Sequence, residues 1–442
     1  MKNTKNLKKG LKISAVTAAF ALTAAFVSCT VPSYPSDSSV VPGQNMSKEF
    51  TDYSGYNISA ADVSKDFMRG VDASEVAALE ELGLKFYDED NSEKDVFAIL
   101  AEHGVNWIRL RIWNDYTQEL DSTDWGPYGY NNLSRTVTMA KRAKKYGMKV
   151  LLDFHYSDTW ADPSKQKCPA EWSQITTSDE LAQAVGEYTK QILTSMKEDG
   201  VAPDMVQLGN EMQGGLFQTN SAVENAKNYT ADYLKAGAEA VRSVLPECKI
   251  MLHMSNGGKS SYATTLLNYA EAVGSDSDGN AYITHLGVSY YPFYKAHGTD
   301  VQLKANLQTF KNAGYNVVIA ENSFCYDNDA YTDSTNNTYY QSSVPDGNTY
   351  ACGKQCAKNL TGYNKGEGIS SSGEIDSSIE NQAGVMQYLM ELCSSVDSAG
   401  GYFYWGGCYL GIDDDMKSSW ENQALFDSNA KALPSLNAFN VQ

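Results

Sequence analysis

The chain has 442 residues, of which 42% are hydrophobic and 11% aromatic, which is ample for a large core. Its formal net charge is −19. This excludes a nucleic-acid partner, because phosphates require basic patches, and it disfavours a strongly anionic polymer as substrate. A neutral ligand is the expectation that remains.

Residues 1–29 are predicted to be an export signal. Five lysines within the first twelve residues precede an apolar run, residues 13–27, that is too short for a comfortable membrane span. The residues before Cys29 resemble a bacterial lipoprotein processing site, with Cys29 as the acylated residue. An ordinary secretory signal is the alternative, because Phe26 stands where Leu is usual. We therefore expect a secreted or cell-surface protein that meets a membrane only through a lipid anchor.

Residues 30–65 are predicted to be a linker and lead-in, flexible where Pro and Ser are frequent, and residues 66–442 to be the functional domain. From residue 66 on, short apolar runs alternate with amphipathic segments. Asn91 or Ser92 is predicted to cap the first of the helices. The predicted strands are residues 67–72, 105–112, 149–154, 205–208, 249–252, 283–290, 316–320 and 401–404.

This alternation predicts an α/β fold, a single (β/α)8 TIM barrel, because eight is the strand number at which such a sheet closes. Predicted helices lie between the strands at residues 133–146, 179–198, 231–244, 260–273, 301–313 and 379–396. An open doubly wound sheet is the alternative, but no Gly-rich phosphate-binding fingerprint follows the first strand.

Two predicted strands end in a glutamate. Residues 205–208 are followed by Gly209, Asn210 and Glu211, and the seventh strand is followed by Glu321. The C-terminal ends of barrel strands meet at one rim, where catalytic groups collect. Two carboxyl groups facing one sugar are what a glycosidase needs, although either glutamate alone could be part of a structural ion pair.

Other strand ends carry polar and aromatic side chains at the same rim. Arg109 and Arg111 flank Leu110 on the second strand, and Arg111 is the one that we expect in the site. One ring of the Tyr290–Tyr291 pair is expected to face away from it. The remaining strand-end residues are Asp72, Trp113, Asn114, Asp153, His155, Tyr156, His253 and Trp405.

Several of these segments resemble the arabinogalactan endo-β-1,4-galactanases of glycoside hydrolase family 53, from about Arg69 to the C-terminus. The most specific block is residues 153–163, Asp-Phe-His-Tyr-Ser-Asp-Thr-Trp-Ala-Asp-Pro. Asn210-Glu211 alone would indicate only the clan of barrel glycosidases. The other matching blocks are residues 69–72, 109–115, 209–211, 289–293, 320–323, 403–405 and 422–427.

The resemblance implies a retaining endo-hydrolase of β-1,4-galactan, a pectin side chain, with Glu211 as acid/base and Glu321 as nucleophile. No cofactor is required. Arg111 and one tyrosine are expected to donate to Glu321, Asn210 to hold the sugar 2-hydroxyl, and three tryptophans to stack on sugar rings. The expected substrate-binding residues are Asp72, Arg111, Trp113, Asn114, Asp153, His155, Trp160, Asn210, Tyr290, Tyr291 and Trp405.

The chain departs from the family pattern in several places. Gly406 follows the eighth-strand Trp where a Glu-Pro pair is common, and Met212 and Asn322 replace threonines. Bacterial members often bind structural calcium in the loop after the seventh strand. Here the family's His is missing and the spacing differs, but oxygen ligands are available. The candidate calcium ligands are Asp327, Asp329, Asp333 and Asn337.

Two further hypotheses stay open. Another barrel-clan endo-glycanase, acting on β-mannan or β-glucan, would share the barrel and both glutamates. A non-catalytic surface glycan-binding lipoprotein would not need to keep the pair of acids. In all three cases the expected partner is a polysaccharide and the expected state is a monomer.

Overall fold

The computed structural model describes residues 49–114, 131–219, 221–327, 357–364, 375–410 and 421–441. Cys29 and the export signal lie outside these residues, as do Asp329, Asp333 and Asn337 of the candidate calcium set. Residues from Lys48 on form one compact unit. Within the described part of the chain, no helix combines the length and the apolar composition that crossing a membrane requires.

The central element is a closed barrel of eight parallel strands in which each strand pairs with its sequence neighbours and the first pairs with the last. The predicted α/β class and single (β/α)8 TIM barrel are thereby confirmed. The strands are β1 (Met68–Asp72), β2 (Trp107–Ile112), β3 (Lys149–Phe154), β4 (Met205–Leu208), β5 (Lys249–Met254), β6 (His285–Ser289), β7 (Asn316–Asn322) and β8 (Gly401–Tyr404).

Eight α-helices connect the strands among the described residues, and most begin at a side chain that accepts a hydrogen bond from the first turn. Asn132, Thr177 and Ser378 cap three of them in this way. The helices are α1 (Val76–Glu81), α2 (Val96–Glu102), α3 (Leu133–Lys145), α4 (Ser178–Glu198), α5 (Thr230–Val244), α6 (Ser260–Val273), α7 (Asp300–Asn312) and α8 (Ile379–Val396).

The predicted start of α2 is wrong by one turn. Asp95 is the cap, because its side chain accepts from the Phe97 backbone N–H. Asn91 instead has a positive φ of 69° and lies in the turn of a two-stranded hairpin, Phe86–Tyr87 with Glu93–Lys94. Two polar residues before an apolar run did not distinguish a hairpin turn from a helix cap.

Apolar side chains fill the half of the barrel interior that lies toward the N-terminal ends of the strands. They form a small core that is separate from the large core between the sheet and the helices. Gly70 makes room for this core, since a Cβ there would lie 2.1 Å from Cδ1 of Phe403. This core occupies the N-terminal half of the barrel, and the C-terminal rim is the end at which barrel enzymes bind their ligands. The interior apolar residues are Met68, Trp107, Leu151, Met205, Met251, Val318, Ala320 and Phe403.

Residues 49–65, the described part of the predicted lead-in, pack on the C-terminal segment of the domain. The Tyr53 hydroxyl donates to Asp427 at 3.0 Å, and Lys431 Nζ donates to the Thr51 carbonyl at 2.7 Å. Ala61 is buried and its N–H donates to the Ala438 carbonyl. This segment thus belongs to the folded unit.

Candidate active site

A layer of polar side chains lies next to the small apolar core inside the barrel, on the side of the C-terminal strand ends. Because side chains alternate along a strand, the residue two positions after a residue of this apolar core also faces the barrel interior. Trp107 is followed in this way by Arg109, Leu151 by Asp153, Met205 by Gln207 and Met251 by His253. The polar layer consists of Asp72, Arg109, Asp153, Gln207, His253, Ser289 and Glu321, all buried.

Arg109 lies at the centre of this layer and is fully buried. Its guanidinium contacts three carboxylates: Asp72 at 3.0 Å, Asp153 at 2.8 Å and Glu321 at 2.9 Å. It also donates to Asn210 Oδ1 at 2.9 Å. A buried positive charge of this kind offsets part of the negative charge that the site collects.

The donor role predicted for Arg111 is therefore wrong, and Arg109 has that role. Both arginines face the barrel interior, since they are two residues apart on β2, but Arg111 lies one layer higher. Its guanidinium contacts Asp72 at 2.8 Å and Glu75 at 3.4 Å. It also lies 4.8 Å from the ring centroid of Trp160, a cation–π arrangement.

Glu211 follows β4 after a tight turn at Gly209, and its backbone has a positive φ of 45°. Non-glycine residues rarely adopt this conformation, and it persists only where surrounding contacts impose it. Its neighbour Asn210 provides such contacts, because Asn210 Nδ2 donates to the Ala161 carbonyl at 2.7 Å. Glu211 is partly exposed, as a group that must reach a ligand has to be.

A β-bulge aims Glu321 into the barrel. Along β6, Val288 pairs with Ile319 but the next residue, Ser289, pairs with Glu321, so β7 has one extra residue at this point. The pairing with β8 shifts at the same place. Ala320 faces the interior core, and without the bulge Glu321 would face outward toward the helices.

Ser289 lies between the two glutamates. Its Oγ is 2.6 Å from Glu211 Oε1 and 3.4 Å from Glu321 Oε2. The two carboxylate oxygens are therefore at most about 6 Å apart, the sum of these distances. Sequence reasoning missed this serine, because a small hydroxyl residue at the end of a strand carries no signal of its own.

The two carboxyl groups have different partners. Glu321, only 5% exposed, contacts Arg109 and accepts from the Tyr291 hydroxyl at 2.9 Å. Burial raises the pKa of Glu321, while Arg109 and Tyr291 oppose that rise. Burial, and then the charge of Glu321, raise the pKa of Glu211 well above its ordinary value. Of the two carboxyl groups, Glu321 thus has the partners that favour the ionised form, and Glu211 is the one whose pKa is raised furthest from its ordinary range.

Of the adjacent tyrosines, only Tyr291 reaches the site. The Tyr290 hydroxyl lies 3.2 Å from the Gly298 carbonyl and 3.1 Å from the Asn359 carbonyl, either of which can accept its one proton, and its ring is fully buried. The substrate contact predicted for Tyr290 is therefore wrong, while the expectation that one ring of the pair faces away is confirmed.

Aromatic rings form one wall of the rim. Trp160 and Trp405 are partly exposed, with ring centroids 6.4 Å apart. Trp113 is only 2% exposed, and its Nε1 donates to His155 Nδ1 at 3.0 Å. The prediction that Trp113 stacks on a sugar ring is therefore wrong. Its ring packs against that of Trp160, with the two ring centroids 5.5 Å apart. Tyr409, which was not predicted, packs on Trp405.

The other predicted residues lie around this wall. His155 is buried, with Nε2 3.2 Å from Asp153 Oδ2. Asn114 follows β2, and within the described part of the chain its side-chain amide has no hydrogen-bond partner. Asp327 contributes its backbone carbonyl to Asn422. In the described residues, no three His, Cys, Asp or Glu side chains are placed to hold a metal ion.

Comparison with known proteins gives a consistent result. The family model described as glycosyl hydrolase family 53 matches residues 68–360 and 359–439. The endo-beta-1,4-galactanase of Bacillus subtilis (strain 168) is 30% identical over 419 residues, covering 85% of this chain and 86% of the relative. The arabinogalactan endo-beta-1,4-galactanase of Thermothelomyces thermophilus is 30% identical over 378 residues, covering 84% and 98%.

Solved structures agree with the sequence relatives. The GH53 catalytic domain of Ignisphaera aggregans has 34% sequence identity and a TM-score of 0.68, covering 87% of this chain and 98% of that domain. A structure of fungal beta-1,4-galactanases has 27% identity and a TM-score of 0.63, covering 84% and 98%.

Proposed function

We propose that this chain, which belongs to glycosyl hydrolase family 53, is an endo-β-1,4-galactanase that cuts internal bonds of (arabino)galactan. The relatives named above supply the substrate class, since their names state galactanase activity. The residues supply the chemistry, in which a protonated and an ionised carboxyl group lie on either side of one sugar.

The observation that supports a retaining mechanism best is that one hydroxyl, Ser289 Oγ, reaches both Glu211 and Glu321. Retaining enzymes need carboxyl groups about 5–5.5 Å apart, and inverting enzymes about 6.5–9.5 Å, to leave room for a water molecule. An upper limit of about 6 Å between Glu211 Oε1 and Glu321 Oε2 favours direct attack by one carboxylate.

In the proposed first step, Glu321 attacks the anomeric carbon while Glu211 protonates the departing glycosidic oxygen. The Arg109 and Tyr291 contacts keep Glu321 ionised and aimed, and both can weaken as the new bond to the anomeric carbon neutralises the carboxylate and the bond to the protonated leaving oxygen breaks. In the second step Glu211, now a carboxylate, takes a proton from the water that releases the sugar from Glu321.

Two partly exposed rings, Trp160 and Trp405, are the proposed stacking surfaces for galactose units. Galactan is neutral, which suits the net charge of −19. We propose pectin side chains as its source. Export through residues 1–29, with a lipid anchor at Cys29 if lipoprotein processing occurs, would bring the enzyme to a polymer too large to enter a cell.

The test is release of reducing sugar from debranched galactan, glucomannan and cellulose, measured side by side with the wild-type chain. Rapid release from galactan, with oligomers as first products, is the expected result. A preference for glucomannan or cellulose would overturn the galactanase assignment but leave the two-glutamate mechanism untouched. Monosaccharide as the first product would overturn only the endo mode of attack.

A further inference from the structure

A hydrogen-bonded chain of three buried side chains begins at Glu211 and runs through Ser289 and His253 to Asn210. Ser289 Oγ, at 2.6 Å from Glu211 Oε1, is also 3.0 Å from His253 Nε2. His253 Nδ1 in turn is 2.8 Å from Asn210 Oδ1. His253 and Ser289 are fully buried, so water does not interrupt the chain.

The orientation of the Asn210 amide fixes the histidine tautomer. Asn210 Oδ1 is 2.9 Å from an Arg109 nitrogen, which can only donate, and Asn210 Nδ2 donates to the Ala161 carbonyl. The atom that faces His253 Nδ1 is therefore an acceptor, and Nδ1 must carry a hydrogen. Gln207 Nε2 also lies 3.1 Å from Nδ1, but its hydrogens have acceptors in Gly209 and Asn210.

His253 holds only that one proton. Burial lowers the pKa of His253 well below its ordinary value, and the positive charge of Arg109 lowers it further. With Nδ1 protonated and the ring neutral, Nε2 carries a lone pair and can only accept. The only described donor within reach of Nε2 is the Ser289 hydroxyl.

A serine hydroxyl has one proton, and the two nearest acceptors, His253 Nε2 and Glu211 Oε1, compete for it, while Glu321 Oε2 is more distant at 3.4 Å. If Ser289 donates to His253 Nε2, its oxygen can accept only from a protonated Glu211. If Ser289 donates to Glu211 Oε1, that oxygen carries no proton and His253 Nε2 loses its donor, a loss that is offset best when Glu211 is an ionised and therefore stronger acceptor. The 2.6 Å contact is suitable for a hydrogen bond in either direction.

We propose that Ser289 is a positioning residue that switches its single proton between His253 and Glu211, accepting from Glu211 in the acid state and donating to it in the base state. The inference rests on the proposed function, because it assigns a partner to the acid/base of that mechanism. When Glu211 gives its proton to the leaving oxygen, the Ser289 hydroxyl rotates toward the new carboxylate. When Glu211 regains a proton from water, the hydroxyl rotates back, and no proton is gained or lost by Ser289.

Other charged and titratable groups also face Glu211 and set its baseline acidity. They come from different elements: Glu321 from β7, Arg109 from β2, Asp162 from the segment after β3, and Tyr291 after β6. None of them is substituted in the Ser289 or His253 variants, and of the four only Glu321 contacts the Ser289 hydroxyl, at 3.4 Å. A change in the Glu211 pKa in those variants therefore reports the hydroxyl switch.

The test uses Ser289→Ala and His253→Asn, because they shift the Glu211 pKa in opposite directions. Ser289→Ala removes the donor to the carboxylate, and a bond to a charged acceptor is stronger than one to a neutral acceptor. The basic limb of kcat/KM against pH, which reports the general acid, should move up by about one pH unit. His253→Asn keeps a donor toward Asn210 but removes Nε2, so Ser289 is free for Glu211 and the limb should move down by about half a unit.

Ser255→Ala is the matched control. Ser255 is a buried serine after β5 whose hydroxyl accepts from Gln213, and the basic limb should stay where it is. Limbs that do not move in Ser289→Ala and His253→Asn, or that move in the same direction, would overturn the switch. The ¹³C shift of the Glu211 carboxyl, assigned by its loss in Glu211→Gln, gives the same pKa without turnover. Failure of wild-type enzyme to cut galactan would therefore refute the proposed function alone.

Discussion

At the scale of single residues, the site depends on the ion pairs that Arg109 makes with several carboxylates at once. Its guanidinium contacts Asp72, Asp153 and Glu321, and no water-exposed surface remains on it. Lysine would keep the charge but not the planar fork that reaches several acceptors at once. Asp72 would keep its contact with Arg111, but Asp153 or Glu321 would then be buried without a cation.

Arg109→Lys is expected to lower both stability and activity. Loss of buried charge pairing should cost about 3 kcal/mol of unfolding free energy, and loss of the contact to Glu321 should lower kcat by about a hundredfold or more. Chemical denaturation and galactan hydrolysis measure the two effects. Arg142→Lys is the control, since Arg142 pairs with Glu80 and Asp95 on the partly exposed outer face. An Arg109→Lys enzyme with wild-type kcat would remove Arg109 from the proposed mechanism.

Glu321→Ala separates catalysis from binding. Removing the proposed nucleophile should lower kcat by about four orders of magnitude or more, as for other catalytic groups that act as a unit. The aromatic wall is unchanged, so galacto-oligosaccharide affinity measured by calorimetry should stay within a few fold of wild type. A wild-type protein that binds but never cuts would instead support a glycan-binding function.

The sequence indicated Glu211 and Glu321, and a tyrosine donor to Glu321, but neither the arginine nor the serine that contacts them. Arg109 and Arg111 have the same side-chain direction on β2, and only their height in the barrel decides which one meets Glu321. Ser289 is separated from both glutamates along the chain, and its role follows from three strands meeting in space. Tyr290 and Tyr291 were correctly expected to diverge, but the one that faces the site could not be chosen without the strand register.

At the scale of elements, the register of the barrel brings the site together. The strand bounds were predicted within about two residues, because each strand is an apolar run ended by polar residues, a pattern that periodicity detects. The bulge in β7 was not predictable, since Ala320 has no feature that marks an extra residue. Without that bulge the alternation rule would place Glu321 on the wrong face of the sheet.

Gly70 tests the packing of β1 against β8. An alanine Cβ there would overlap the Phe403 ring, so Gly70→Ala should lower the unfolding free energy by about 3 kcal/mol. Gly70→Ala with Phe403→Leu should be more stable than the sum of the two single effects predicts, because the smaller side chain relieves the overlap. Gly55→Ala, where a Cβ meets no atom within 4 Å, should change little. Strict additivity of the two core changes would contradict this packing.

At the scale of the whole molecule, buried histidines make the fold sensitive to acid. Burial lowers the pKa of His285, near the lower end of the barrel, and of His297, to about 3 in each case. In the unfolded chain a histidine titrates near pH 6.5. Between these values the unfolded state binds protons that the native state does not, so stability falls as pH falls.

His285→Asn is expected to make the unfolding free energy fall less steeply as the pH is lowered. Each buried histidine contributes a slope of about 1.4 kcal/mol per pH unit between pH 6.5 and 3, and the variant lacks one such group. Melting temperatures measured at intervals from pH 7 to pH 4 give the slope, with wild type alongside. His285 lies far from the rim, so galactan hydrolysis at neutral pH serves as the check on folding. A melting temperature that falls as steeply with falling pH as that of wild type would contradict a neutral buried His285.

The family resemblance seen in the sequence is confirmed by the match over residues 68–439, and the barrel confirms the fold that it implied. The central claim, that Glu321 attacks the sugar directly, is tested most directly by ¹H NMR of the first product released from galacto-oligosaccharide. We predict that the new reducing end appears first as the β-anomer and then mutarotates. An initial α-anomer would mean inversion, and would contradict the covalent role of Glu321.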